Sequence, residues 1–127
     1  MTEFIFDSTI VIDLLRQNPA ALSWYASMTK RRIAITPIVW METVQGARNN
    51  AERDQILRFL KQFPIEHPIE ADNNWAMRQF ARFHLGYGIE LTDMMIASVA
   101  VRLSVPLYTL NIKHYVPLPG VNAVRPY

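Results

Sequence analysis

The chain has 127 residues, half of them apolar and 19% charged, which suits one globular domain with a sizeable core and excludes a disordered chain. It has no cysteine, which excludes a disulfide framework, a thiolate nucleophile and any cysteine-based zinc site. A net charge of +2 tolerates a polyanionic partner without demanding one.

Glu3 to Phe6 reads as a short buried strand, followed by a helix through Ile10–Leu15 capped by Ser8 or Thr9. Asn18 followed by Pro19 is an N-cap with proline at the first helical position, opening a helix to about Met28. Ile33 to Thr36 is a second buried strand, and Thr36-Pro37 repeats the cap signal for a third helix. Asn49 and Asn50 end that pattern; Ala51 to Gln62 is amphipathic, with Ile56, Phe59, Leu60 and Phe63 at helical spacing. Phe63 to Ile69 contains two prolines, which reads as an edge strand or a loop. Ala71 to Leu85 is helical, Gly86-Tyr87-Gly88 turns, and Thr92 caps a helix to about Leu103. Val105 to Leu110 and Val121 to Val124 close the chain as strands.

Strands alternating with helices predict an α/β fold with a parallel sheet covered on both faces, and function gathered beyond the carboxyl ends of the strands. No repeat, low-complexity segment or linker divides residues 1–127. No stretch reaches the roughly 18 apolar residues of a membrane span, and no secretory signal precedes Asp7. The expected setting is therefore soluble and cytoplasmic, with no membrane partner.

Three acids stand where a core rejects them. Asp7 ends Phe4-Ile5-Phe6, Glu42 interrupts Ile38-Val39-Trp40-Met41, and Asp93 precedes Met94-Met95-Ile96-Ala97. A carboxylate is almost never fully buried unless paired or metal-bound. Asp7 alone is explained by capping, and Asp93 alone by the helix dipole, worth roughly 0.3–1 kcal/mol. Glu42 resists such explanations, because Ile38, Val39, Gln45 and Gly46 are its helical neighbours and none is basic. Taken together the three acids predict one divalent-cation site, and an all-oxygen ligand set selects Mg²⁺ or Mn²⁺. Without the cation the acids repel, so replacing Asp7 or Asp93 by Asn is expected to stabilise the metal-free chain. Asp13 is explained by a local pair with Arg16, and His67, His84 and His114 show no metal spacing and read as surface or capping residues. Arg31, Arg32, Arg48 and Lys113 are candidates for phosphate contacts, although short basic runs are commonly solvated loops.

The order of motifs resembles PIN-domain ribonucleases, specifically the VapC-type toxins of bacterial toxin–antitoxin pairs. The matching pieces are Phe6-Asp7-Ser8-Thr9-Ile10-Val11-Ile12-Asp13, then Thr36-Pro37-Ile38-Val39-Trp40-Met41-Glu42, then Leu91-Thr92-Asp93-Met94-Met95-Ile96-Ala97. The last runs from Leu107-Tyr108-Thr109-Leu110-Asn111-Ile112-Lys113-His114-Tyr115 to Pro119-Gly120-Val121. The resemblance implies a five-stranded parallel sheet flanked by helices. It implies metal-binding and catalytic roles for Asp7, Glu42 and Asp93, with RNA cleaved by metal-activated water. Thr9 and Thr109 fall where the family places hydroxyls that orient the acids. Asn111 stands where many members carry a fourth acid, which bears on a second cation. The family further implies a homodimer and a cognate VapB-like antitoxin whose tail covers the acids; Trp24, Tyr25, Trp40 and Met41 are candidate apolar contacts for it, with core packing the favoured reading for at least two of them.

Two rival readings remain. A haloacid-dehalogenase-like phosphatase needs a second acid two residues after the first, where this chain has Thr9. A non-catalytic RNA-binding or scaffold version of the same fold is the stronger alternative, and it is expected to have lost an acid that this chain retains.

Overall fold

The computed structural model describes residues 1–127. Strand β1 (Phe4–Phe6) is followed by helices α1 (Ser8–Leu15) and α2 (Pro19–Ala26), then strand β2 (Ile33–Ala34). Helices α3 (Pro37–Gln45), α4 (Asn50–Leu60), α5 (Glu70–Tyr87) and α6 (Leu91–Leu103) occupy the middle. Strand β3 (Leu107–Tyr108), a 3-10 turn (Ile112–His114) and strand β4 (Ala123–Val124) complete the chain.

The sheet is parallel throughout, in the order β2-β1-β3-β4. Its inner strand β1 is an unbroken apolar run because helices cover both faces of such a sheet. Helix α6 buries Met94, Ile96, Ala97, Val99 and Ala100 and packs against α5. Each large side chain so buried contributes roughly 1.5–3 kcal/mol, enough to hold this helix in place although it also buries Asp93. No helix is long and apolar enough to cross a membrane.

Local signals set most helix starts. Asn18 Oδ1 accepts from the Ala21 N–H at 3.1 Å and Thr36 Oγ1 from the Val39 N–H at 3.4 Å, each ahead of a proline in the first turn. Two caps differ from the sequence reading. Asp7, not Ser8 or Thr9, caps α1, because the helix takes Ser8 as its first residue. Glu90, not Thr92, precedes α6, and Asp93 in the first turn accepts from the Glu90 N–H at 3.3 Å. The turn into α6 uses Gly86 and Gly88, both with positive φ, where a side chain would strain the backbone.

The expected fifth strand does not form, and the sheet has four. Between Phe63 and Ile69 only one bridge survives, Ile35 to Ile65, with the Ile35 N–H bonded to Pro64 O and the Glu66 N–H to Ile35 O. Pro64 and Pro68 lack the N–H groups that a longer ladder requires.

Candidate active site

Sheet register builds the site. Phe6 pairs with Tyr108, so the next residues, Asp7 and Thr109, leave neighbouring strands side by side at the carboxyl edge. Asp7 is 4% exposed. Its Oδ1 accepts from the Ser8 N–H at 2.8 Å, and its Oδ2 from the Thr109 hydroxyl at 2.7 Å and the Tyr115 hydroxyl at 3.2 Å. Thr9 ties α1 to the same edge by accepting from the Leu110 N–H at 3.1 Å. Asn111 joins through its backbone, its N–H donating to Thr109 Oγ1 at 2.9 Å.

Asp93 approaches from the first turn of α6. Its Oδ1 accepts from the Tyr115 hydroxyl at 3.3 Å, and its Oδ2 lies 3.1 Å from His114 Nδ1. Burial raises its pKa, as do the charges of Asp7 and Glu90, while the Glu90 N–H and His114 pull it down. The Tyr115 phenol is pushed far up, by burial first and then by both aspartates, so it keeps its proton as a donor.

Glu42 lies half-buried on α3, and its Oε1 is buried without a hydrogen-bond partner. Burial raises its pKa most, then the charge of Asp7, with Asp93 and Glu90 adding to it; only the Ser8 side chain acts the other way. Asp7 and Asp93 thus share one hydroxyl donor, and Glu42 lies near enough for the charge of both to raise its pKa. The simpler roles hold as well, since Asp7 caps α1 and Asp93 serves the first turn of α6.

An orphaned carboxylate oxygen among mutually repelling acids fits a cation. No three acidic or histidine side chains stand close enough, as arranged, to ligate one ion. Mg²⁺ does not need that, since it commonly takes one or two carboxylates and keeps several waters.

The basic candidates separate. Arg31 and Arg32 precede β2 at the opposite edge of the sheet, where Arg32 O accepts from the Glu3 and Phe4 N–H groups and Arg31 pairs with Glu3 at 3.7 Å. Arg48 is exposed, paired with Glu52 at 2.7 Å, and lines an open cleft of about 790 Å³ with Arg16, Ile56 and Phe59. Lys113 alone sits on the turn that carries His114. Asp13 accepts from the Tyr127 hydroxyl at 2.9 Å and forms no pair with Arg16. Trp24 and Tyr25 pack against Phe6, whereas Met41 is exposed.

Sequence reasoning missed Tyr115 and read His114 as a surface or capping residue, of interest only for its neighbours Asn111 and Lys113. A buried tyrosine signals that its hydroxyl has a partner, but only the fold says which.

A PIN domain model matches residues 4–115, a span that includes all three acids. Ribonuclease VapC10 of Mycobacterium tuberculosis is 33% identical over 115 residues, covering 87% of this chain and 84% of its own length. A toxin–antitoxin complex from Klebsiella pneumoniae contains a chain with a TM-score of 0.80 at 26% identity, covering 98% of each chain. VapBC2 from Rickettsia felis, bound to a DNA fragment from its promoter, shares the fold with a TM-score of 0.80 at 19% identity, over 97% of this chain and 98% of its own. The chain belongs to the PIN-domain family and, within it, to the VapC ribonucleases.

Proposed function

We propose that this chain is a metal-dependent endoribonuclease that hydrolyses RNA phosphodiester bonds as the toxin of a toxin–antitoxin pair. The observation that carries this reading is the convergence of Asp7, Asp93 and Glu42 at one sheet edge, with Glu42 Oε1 buried and unpartnered. Kinship with VapC ribonucleases supports RNA as substrate, and the toxin–antitoxin complexes of the structural relatives support a VapB-like inhibitor. A homodimer belongs to the same reading. Exposed Met77, Leu85, Tyr87 and Leu91 along α5 and its junction with α6 offer apolar surface for it.

Asp7, Asp93 and Glu42 would hold Mg²⁺ or Mn²⁺, which supplies Lewis acidity to activate water and offset charge developing on the phosphate. The chain's own groups do the positioning. Thr109 and the Ser8 N–H orient Asp7, and the Glu90 N–H orients Asp93. Glu42 Oε1 has no hydrogen-bond partner, so its lone pairs remain free for the cation. Asn111 brings a neutral amide, not a fourth acid, to the same edge through its backbone bond to Thr109.

The test is cleavage of RNA by the purified chain with Mg²⁺ or Mn²⁺. EDTA should abolish it, and Asp93→Asn should lower it by orders of magnitude while the circular dichroism spectrum is unchanged. An Asp93→Asn variant as active as wild type, freed of contaminating nuclease, overturns the assignment.

A further inference from the structure

Tyr115 heads the fully buried side chains by size, at 1% exposure. Core filling explains its ring but not its hydroxyl, because phenylalanine fills the same space without a polar atom to desolvate. The hydroxyl oxygen lies 3.2 Å from Asp7 Oδ2 and 3.3 Å from Asp93 Oδ1. It has one proton for two acceptors, so it donates to one carboxylate at a time. Neither carboxylate depends on it for a partner. Thr109 already donates to Asp7 Oδ2, and the Glu90 N–H already donates to Asp93 Oδ2.

What the hydroxyl adds is a link between the two acids. The terminal carboxylate torsion of aspartate is broad, and one shared donor restricts two such torsions together. We propose that Tyr115 is a positioning residue whose hydroxyl sets the mutual orientation of Asp7 and Asp93 and so strengthens their hold on a divalent cation. The inference rests on the metal-dependent reading above. Ligands ordered beforehand lose less freedom on binding, and outer hydrogen bonds to ligating groups are worth roughly 10–100-fold in metal affinity.

Calorimetric titration of Mn²⁺ into the metal-stripped full chain tests it, comparing wild type, Tyr115→Phe and Leu60→Ala. Tyr115→Phe retains the ring and should keep the far-ultraviolet dichroism of the folded chain. It should bind Mn²⁺ about 10–100-fold more weakly than wild type. Leu60→Ala truncates a buried residue of α4; it should melt lower yet bind Mn²⁺ as wild type does. Equal or tighter binding by Tyr115→Phe overturns the positioning role and leaves the metal reading standing. An equal loss in Leu60→Ala also overturns it, since general loosening would then explain the effect. Absence of Mn²⁺ binding by wild type overturns the metal reading itself, together with the role built on it.

Discussion

Glu42 is the acid least supported by its neighbours, and Asp7 the most. Asp7 accepts three hydrogen bonds, whereas Glu42 Oε1 accepts none. Neutralisation should therefore act in opposite directions at the two positions, against the sequence expectation that Asn at position 7 relieves repulsion and stabilises the metal-free chain. An amide has one acceptor oxygen, so Asp7→Asn leaves either the Ser8 N–H or the Thr109 hydroxyl proton without its acceptor, while Tyr115 can still donate to Asp93; the cost is about 1–3 kcal/mol. In EDTA, Glu42→Gln should melt higher than wild type and Asp7→Asn lower. The pH dependence follows from sign. The folded pKa of Glu42 lies above its unfolded value, so its stabilising contribution is full below about pH 4 and is lost as pH rises through the folded value. Ionised Glu42 carries the repulsion, and as pH falls through its raised folded value it takes up a proton and the repulsion is relieved. The advantage of Glu42→Gln in EDTA should therefore shrink as pH falls from 7 toward the ordinary glutamate value of about 4. Melting curves across that range check this, and a gap that widens toward acid contradicts it.

At the scale of elements, a parallel sheet separates the basic residues into two groups. The 3-10 turn carries Lys113 at the acid edge, while Arg31 and Arg32 lead into β2 at the other end. With a cleavage-dead Asp93→Asn background, Lys113→Ala should flatten the salt dependence of RNA binding by ~0.7 on a logarithmic plot. Arg31→Ala and Arg32→Ala should leave the slope alone. Fluorescence anisotropy with a labelled single strand measures all three, and the reverse ordering would reject this placement. The same contrast explains what could be read from the chain beforehand. The Asn18-Pro19 and Thr36-Pro37 starts are local chemistry, and both helices form there. The acids were legible because each sits in an apolar run. The bond from Thr109 to Asp7 spans 102 residues and depends on β1 lying beside β3, which no local signal states. Tyr115 was hidden for that reason. The region around Pro64 failed as a strand because proline's missing N–H outweighed the apolar residues flanking it.

The whole molecule couples the acids to stability, because each comes from an element that only the folded core holds in place. Asp7 follows β1, Glu42 rides on α3 and Asp93 opens α6, and α3 packs against both α1 and α6. In the unfolded chain these acids are scattered, so a cation that needs their convergence binds the folded state alone. Mass action then adds about 2.7 kcal/mol at a hundredfold excess over the dissociation constant, or roughly 10 °C in Tm for a domain of this size. Wild type should therefore melt progressively higher as Mn²⁺ is raised, climbing with the logarithm of its concentration once the site is filled. Asp93→Asn removes one ligand and should gain far less over the same range. Differential scanning calorimetry against Mn²⁺ concentration measures both curves. If wild type gains nothing at millimolar Mn²⁺, Asp7 and Asp93 serve as helix caps alone, and the burial of Glu42 then needs an explanation other than a cation.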